Sequence, residues 1–304
     1  MNHILMIRPV NFGFNEQTAG SNAFQTLAPD QGTVQAAALA EFDAFVQVLR
    51  DNGVAVVVVE DTPEPHTPDA IFPNNWISFH ENGDIFLYPM QAENRRLERR
   101  EDIIRRLEEK FKVNHIIDLS RFEKQDKYLE GTGSMVLDRE NRIAYACLSP
   151  RTDEEVLATF CEHAGYKPLI FNAVDSNGKA IYHTNVLMAV AEKYVVICLD
   201  AIADDEEAER VIDAISAAGK EIIAISFEQM NQFAGNMLEV VNDKGESLIV
   251  MSASAWHSLN EEQKEVLTSF SKPVYADLST IEQNGGGSAR CMMAEVYLPA
   301  VDLK

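Results

Sequence analysis

The sequence predicts an α/β fold built from five similar units closed into a ring, and three observations predict it. The same order recurs along the chain: an amphipathic helix, a short apolar strand, a loop and a β-hairpin. Hairpins start at Asn75, Ser134, Asn185 and Asn236, at spacings of 59, 51 and 51 residues. A fifth hairpin begins at Cys291 and lacks a return strand, while the N-terminal strand His3–Ile7 lacks a preceding helix. A repeat of this period marks a supersecondary unit that buries its apolar face only against its neighbours. Strand 3–7 therefore completes the fifth unit and closes the ring, which removes open sheet edges.

Helices read at Gln35–Asn52, Glu93–Lys112, Asp153–Ala164, Asp204–Ala218 and Glu261–Phe270. In the first, Leu39, Phe42, Phe45, Val46 and Leu49 recur at helical spacing. Gly53, Gly165 and Gly219 follow three of them as C-terminal stops, and Thr152 with Glu155 makes a capping box for the third. Apolar strands follow the helices at Val54–Val59, His115–Leu119, Pro168–Phe171, Ile222–Ile225 and Val274–Leu278. The hairpins turn at Glu81-Asn82-Gly83, Glu140-Asn141, Glu192-Lys193 and Asp243-Lys244-Gly245, turn residues between alternating apolar runs. The alternative is a pair of ordinary α/β domains. No Pro/Gly/Ser-rich linker supports it, so residues 1–304 read as a single domain.

A chain of 304 residues, 46% of them hydrophobic, is long and apolar enough for a sizeable core. Asp and Glu number 48 against 26 Lys and Arg, a formal charge of −22. That excess argues against nucleic acid or an anionic membrane as partner, since both need positive fields. No apolar run approaches the roughly 20 residues of a membrane span. Residues Met1–Arg8 lack the layout of a secretion signal. The four cysteines are widely spaced, with no C-x-x-C pair, which fits a reducing cytoplasm and argues against a structural zinc or a disulfide framework.

In such a ring, the loops leading into equivalent strands converge near the axis. Four of them carry unusual residues: Pro68–Trp76, Leu129–Ser134, His183-Thr184-Asn185 and Gly285–Cys291. Three glycines before Cys291 give permissive backbone and little steric cover, as a nucleophilic thiol requires. A flexible loop ahead of a buried cysteine is the alternative. Cys147, Cys161 and Cys198 fall in apolar strands or a helix and read as small buried hydrophobes. His183 alone of seven histidines stands at an equivalent strand approach, where it can take and return a proton. Glu130 can orient an N–H-rich group through paired bonds, or cap backbone N–H groups. The polar segment Asn11–Pro29 lacks periodicity and reads either as a lid or as an irregular surface loop.

This set resembles the guanidino-group modifying enzymes: arginine deiminase, dimethylarginine dimethylaminohydrolase and the amidinotransferases. The resemblance spans nearly the whole chain. It implies a five-bladed pseudo-symmetric α/β-propeller of the pentein type. It also implies Cys291, His183 and Glu130 as the catalytic set, with no metal or organic cofactor. Pro68–Phe72, Asn94-Arg95-Arg96 and Leu148–Thr152 resemble substrate segments of the dimethylarginine hydrolases. They imply Arg151, and Arg95 or Arg96, for the substrate carboxylate and Asp69 for its ammonium. Asn75, Asn185 and Ser134 stand where the family usually keeps carboxylates. Losing three negative positions favours a neutral ureido substrate such as citrulline over a cationic guanidinium, which is similar to a citrulline-hydrolase-like branch. The expected reaction is therefore citrulline to ornithine. An arginine or methylarginine deiminase, an amidinotransferase and a non-catalytic amino-acid-binding protein are the alternatives. The expected partner is a small amino-acid substrate, and the resemblance allows a homodimer.

Overall fold

The structure is a computed structural model that describes residues 3–28 and 31–301. Pro29, at the end of the segment read as a lid, lies outside the described residues, as do Met1 and Asn2 of the N-terminal reading. The strands are β1 (His3–Arg8), β2 (Ala55–Glu60), β3 (Ile77–Phe79), β4 (Asp84–Leu87), β5 (His115–Asp118), β6 (Val136–Asp138), β7 (Ile143–Cys147), β8 (Lys167–Phe171), β9 (Met188–Val190), β10 (Tyr194–Ile197), β11 (Glu221–Ala224), β12 (Leu238–Val241), β13 (Ser247–Ser252), β14 (Lys272–Ala276) and β15 (Ala294–Val296).

They form five separate three-stranded sheets. Four are built alike: an antiparallel hairpin, a helical crossover, and a third strand parallel to the second, as in β3-β4-β5. A parallel pair needs such a crossover, and the helix covers the sheet it returns to. The fifth sheet, β15-β1-β2, takes its first strand from the C-terminal end. There β15 pairs antiparallel to β1, with His3 opposite Val296, and β2 runs parallel to β1. The N-terminal strand thus completes the fifth unit. The five sheets remain distinct and do not merge into a closed barrel, so the propeller likeness is a loose one.

The units interlock through shared cores. Helix Gln31–Asp51 buries Phe42, Phe45 and Leu49 in one cluster with Ile4 and Met6 of its own sheet and Val240, Val250 and Val274 of the neighbouring one. Helix Glu154–Ala164 buries Val156, Leu157 and Phe160, each side chain contributing ~1.5–3 kcal/mol. Gly165 ends that helix in the left-handed region at φ 73°, as its sequence position predicted.

Three local expectations are corrected. Glu93–Lys112 is not one helix but two, Glu93–Arg96 and Glu101–Glu108. The break lets Arg95 turn inward to Glu98 and Asn75, and Arg99 reach the Tyr88 carbonyl and Glu123. The third helix is capped by Asp153, whose Oδ1 accepts from the N–H groups of Glu155 and Val156, rather than by a Thr152–Glu155 box. Asn75, Ser134, Asn185 and Cys291 do not begin strands. They lie in short helical turns just ahead of them, at Pro73–Asn75, Gly131–Ser134, Thr184–Leu187 and Ala289–Met292. No helix among the described residues is long and apolar enough to cross a membrane.

Candidate active site

Each unit sets one residue at an equivalent place: Asn75, Ser134, Asn185 and Cys291 in those turns, and Asn236, which does not begin a strand either, in the loop just ahead of β12. Pseudo-symmetry brings them together from across the chain. The Nδ2 of Asn185 lies 3.4 Å from Cys291 Sγ, and that of Asn236 lies 3.3 Å from it. Asn236 is locked on both sides, donating to the Asn185 carbonyl and accepting from the Arg290 N–H. Ser134 faces elsewhere: its hydroxyl receives the Glu130 N–H and donates to the Arg151 carbonyl, fixing the turn that carries Glu130.

Glu130 and His183 form a buried pair, with His183 Nε2 2.8 Å from Glu130 Oε2. The other oxygen of Glu130 accepts the Gln91 N–H. Burial opposes ionisation of Glu130, but Arg151 and the bond to His183 outweigh it and hold its pKa down to about 2. Burial lowers His183 to about 4 despite the pull of Glu130, so the imidazole is neutral at pH 7. An ionised carboxylate only accepts, so the hydrogen sits on Nε2 and Nδ1 keeps its lone pair. The sequence reading left Glu130 either to orient an N–H-rich group or to cap backbone N–H groups; in the structure its two oxygens accept from the His183 ring and the Gln91 N–H.

The cavity beside these groups is about 20 Å³, room for about one water. Asp69, Asn75, Arg95, Arg151, Tyr182, His183 and Cys291 line it, with Asn22, Phe72 and the three glycines 285–287. Two buried polar atoms of the lining have no partner among the described residues, Asp69 Oδ1 and Asn75 Nδ2; Asn185 Oδ1, outside the lining, has none either. Asn75 cannot reverse, because its Oδ1 accepts from Arg95, which only donates. The cavity therefore offers one free N–H end, from Asn75, and one free oxygen, from Asp69. Burial raises the pKa of Asp69 above the usual carboxylate value.

The glycine-rich loop does not leave Cys291 uncovered: the residue is 6% exposed. Gly286 adopts φ 63°, and a Cβ at Gly285 or Gly287 would meet the Phe72 ring at 2.8 and 2.9 Å. The glycines thus allow close packing beside the thiol. The polar segment ahead of Pro29 supplies the cover. Asn22 donates to the Gly285 carbonyl, Asn15 to Asp69, and Arg151 reaches Ser21 and the Thr18 carbonyl. Arg151 also stacks on Tyr182 at 4.8 Å, and Tyr182 donates to the Gly286 carbonyl.

The two arginines now separate. Arg95 is buried, forked onto Glu98 and bonded to Asn75, and lines the cavity. Arg96 turns away to the Met90 and Gln91 carbonyls and is not part of the site. Cys147, Cys161 and Cys198 are buried free thiols with pKa values raised by burial to about 11, 12 and 11. Sequence reasoning missed Asn236 and Tyr182. Asn236 was reachable, since it stands 51 residues after Asn185 at the same place in the repeat. Tyr182 had only its position before His183.

Solved structures share this fold. The N-terminal domain of ArgZ, an arginine dihydrolase from the ornithine-ammonia cycle in Cyanobacteria, solved bound to substrate, is 19% identical at TM-score 0.76, covering 98% of this chain and 99% of that one. Unliganded AgrE is 20% identical at TM-score 0.77, with the whole of this chain covered. The dimethylarginine hydrolase DDAH from Pseudomonas aeruginosa, solved with citrulline, is 16% identical at TM-score 0.64, covering 96% and 98%. The chain spans 42% of the longer ArgZ chain and 40% of AgrE. A search of curated proteins gave no match. Residues 8–298 match the family described as eukaryotic N,N-dimethylarginine dimethylhydrolase, and the chain belongs to that family.

Proposed function

We propose that the chain is a cysteine hydrolase that cleaves the bond between the ureido carbon and Nδ of citrulline, releasing ornithine. The observation that carries this reading is the ring of uncharged amides around the thiol. Asn185 and Asn236 approach Cys291 Sγ at 3.4 and 3.3 Å, and Asn75 keeps a free N–H end. A guanidinium is best held by carboxylates; a ureido group has a carbonyl to accept and N–H groups to donate. The free N–H of Asn75 complements its carbonyl.

In this scheme Nδ1 of His183 takes the thiol proton, and the Cys291 thiolate attacks the ureido carbon to form a tetrahedral species. The C–Nδ bond breaks as His183 returns the proton to Nδ. Ornithine leaves and Cys291 carries a carbamoyl group. Water, deprotonated by the same histidine, attacks that carbon. The thiol reforms and carbamate is released, which decomposes to ammonia and carbon dioxide. Glu130 keeps His183 in the tautomer and orientation this needs. Arg151 takes the substrate carboxylate once Thr18 and Ser21 release it, and Asp69 takes the ammonium. Arg95 acts through Asn75. The enzyme works as one catalytic unit in the cytoplasm.

A second reading is favoured by the solved structures named as arginine dihydrolases: the same site hydrolyses arginine first and citrulline second. Incubation with citrulline, with arginine and with dimethylarginine separates these. Cys291-dependent ornithine from citrulline supports the proposal. Ornithine from arginine as well supports the second reading. Citrulline as the end product of arginine, with no ornithine from either, overturns both in favour of a deiminase. Turnover only with an added acceptor amine overturns them in favour of an amidinotransferase.

A further inference from the structure

The ring encloses a second, larger cavity of about 580 Å³. Its walls include the inner strands β6, β9 and β12, each of which pairs on one side only. The hairpin turns of Glu81, Glu140 and Glu192 form its mouth, and Thr132 and Arg290 form its floor. It therefore lies at the opposite end of the inner strands from the Cys291 thiol. Its volume is that of a small-molecule site, ~300–1,000 Å³.

Most charges on the wall are committed. Arg290 bonds Glu295 at 3.2 Å and the Met293 carbonyl at 2.8 Å. Lys220 bonds the Ala191 and Glu192 carbonyls and approaches Asp138 at 3.5 Å. Arg139 differs. It lies on the face of Tyr297 at 3.9 Å, approaches Glu295 only at 3.9 Å, and makes no hydrogen bond among the described residues. Its side chain is 18% exposed. A guanidinium fork with unfilled donors takes a carboxylate by paired bonds. Six carboxylate side chains line the cavity against four cationic ones, so its field disfavours a simple anion and favours a ligand with added positive charge.

We propose that this axial cavity is a second binding site, for a basic α-amino acid whose carboxylate sits on Arg139 and whose ammonium groups face the surplus carboxylates. The site bears on the thiol through Arg290. That side chain shares Glu295 with Arg139, and its backbone N–H holds Asn236, whose Nδ2 touches Cys291. The inference stands whether or not citrulline is the substrate.

L-Lysine tests it, having neither a guanidino nor a ureido group. It is titrated calorimetrically into Arg151→Gln, which disables the carboxylate hold at the other site. The same titration is made with Arg139→Gln or Val190→Trp added; the latter fills the cavity and leaves every charge. Thermal melts check folding, and Val190→Trp decides alone if Arg139→Gln does not fold. The expected result is one lysine per chain in Arg151→Gln, at least tenfold weaker binding with either added change, and no binding of succinate. Lysine binding unaffected by the cavity variants, absent from Arg151→Gln, or matched by succinate overturns the proposal.

Discussion

Replacing Gly133 by alanine isolates how closely the site is built. Gly133 lies in the helical turn Gly131–Ser134. Its φ is not positive, so alanine fits the backbone and gains ~0.5–1 kcal/mol there. The added Cβ, however, would sit 2.4 Å from Asn75 Nδ2 and 2.9 Å from His183 Nδ1. Ordinary carbon contacts begin near ~3.5 Å, so Asn75 must move by about 1 Å. Neither side chain can yield freely, since Arg95 holds Asn75 and Glu130 holds His183, each at 2.8 Å. Overpacking costs ~1–3 kcal/mol, partly offset by the backbone gain, so stability falls by about 1–2 kcal/mol. A misplacement of ~1 Å at reacting groups lowers the rate ~100-fold, about 2.7 kcal/mol of barrier. Urea denaturation and steady-state kinetics on the same preparations compare the two effects. Gly165→Ala is the contrast: open space but φ 73°, hence lost stability with unchanged kcat. A Gly133→Ala enzyme within twofold of the wild-type kcat/KM refutes the packing argument.

Asn236→Ala removes one amide from Cys291 and leaves the buried Arg290 N–H unpaired, so kcat falls ~10–100-fold and stability by ~1–3 kcal/mol, read by initial rates and urea midpoints. Arg96→Ala leaves kcat/KM within twofold, because Arg96 faces the Met90 and Gln91 carbonyls, whereas Arg95→Ala lowers it ~100-fold by releasing Asn75; equal losses in the two contradict the assignment. Acid weakens the fold: burial lowers His183 to about 4 and His80 to about 3, from 6.5. Between those values the unfolded chain binds protons that the native chain does not, so their stabilisation is full above pH 6.5 and is lost as pH falls toward 4. Glu130, lowered to about 2, adds a loss below pH 4.5. Burial also raises the Glu98 carboxyl to about 7, which acts in the opposite sense between pH 7 and 4.5, so the histidine effect is read by difference: His80→Phe loses less stability in urea denaturation from pH 7 to 4.5 than the wild type does, and equal losses contradict the burial account.

What the sequence made legible was periodic. Asn75, Ser134, Asn185 and Asn236 gave the repeat, and the orphan strand His3–Ile7 gave closure, because sheets and amphipathic helices impose their periods on residue order. The orphaned C-terminal hairpin pointed to Cys291 for the same reason. What was not legible depends on direction in space. Nothing in Asn94-Arg95-Arg96 tells which guanidinium turns inward; the break after Arg96 and the buried Glu98 decide it. The role of Glu130 as holder of His183 follows from 53 residues of separation collapsing to 2.8 Å. The cover over Cys291 by Thr18, Ser21 and Asn22 comes from polar contacts with no period of their own.

The central claim is that Cys291 carries a carbamoyl group taken from citrulline. Rapid acid quench of the enzyme during turnover, followed by mass analysis of the Cys291 peptide, tests it most directly. The account predicts a carbamoyl adduct on Cys291 that decays in step with ammonia release and is absent from Cys291→Ala. Ornithine released at the same rate by Cys291→Ala, with no adduct in the wild type, contradicts it.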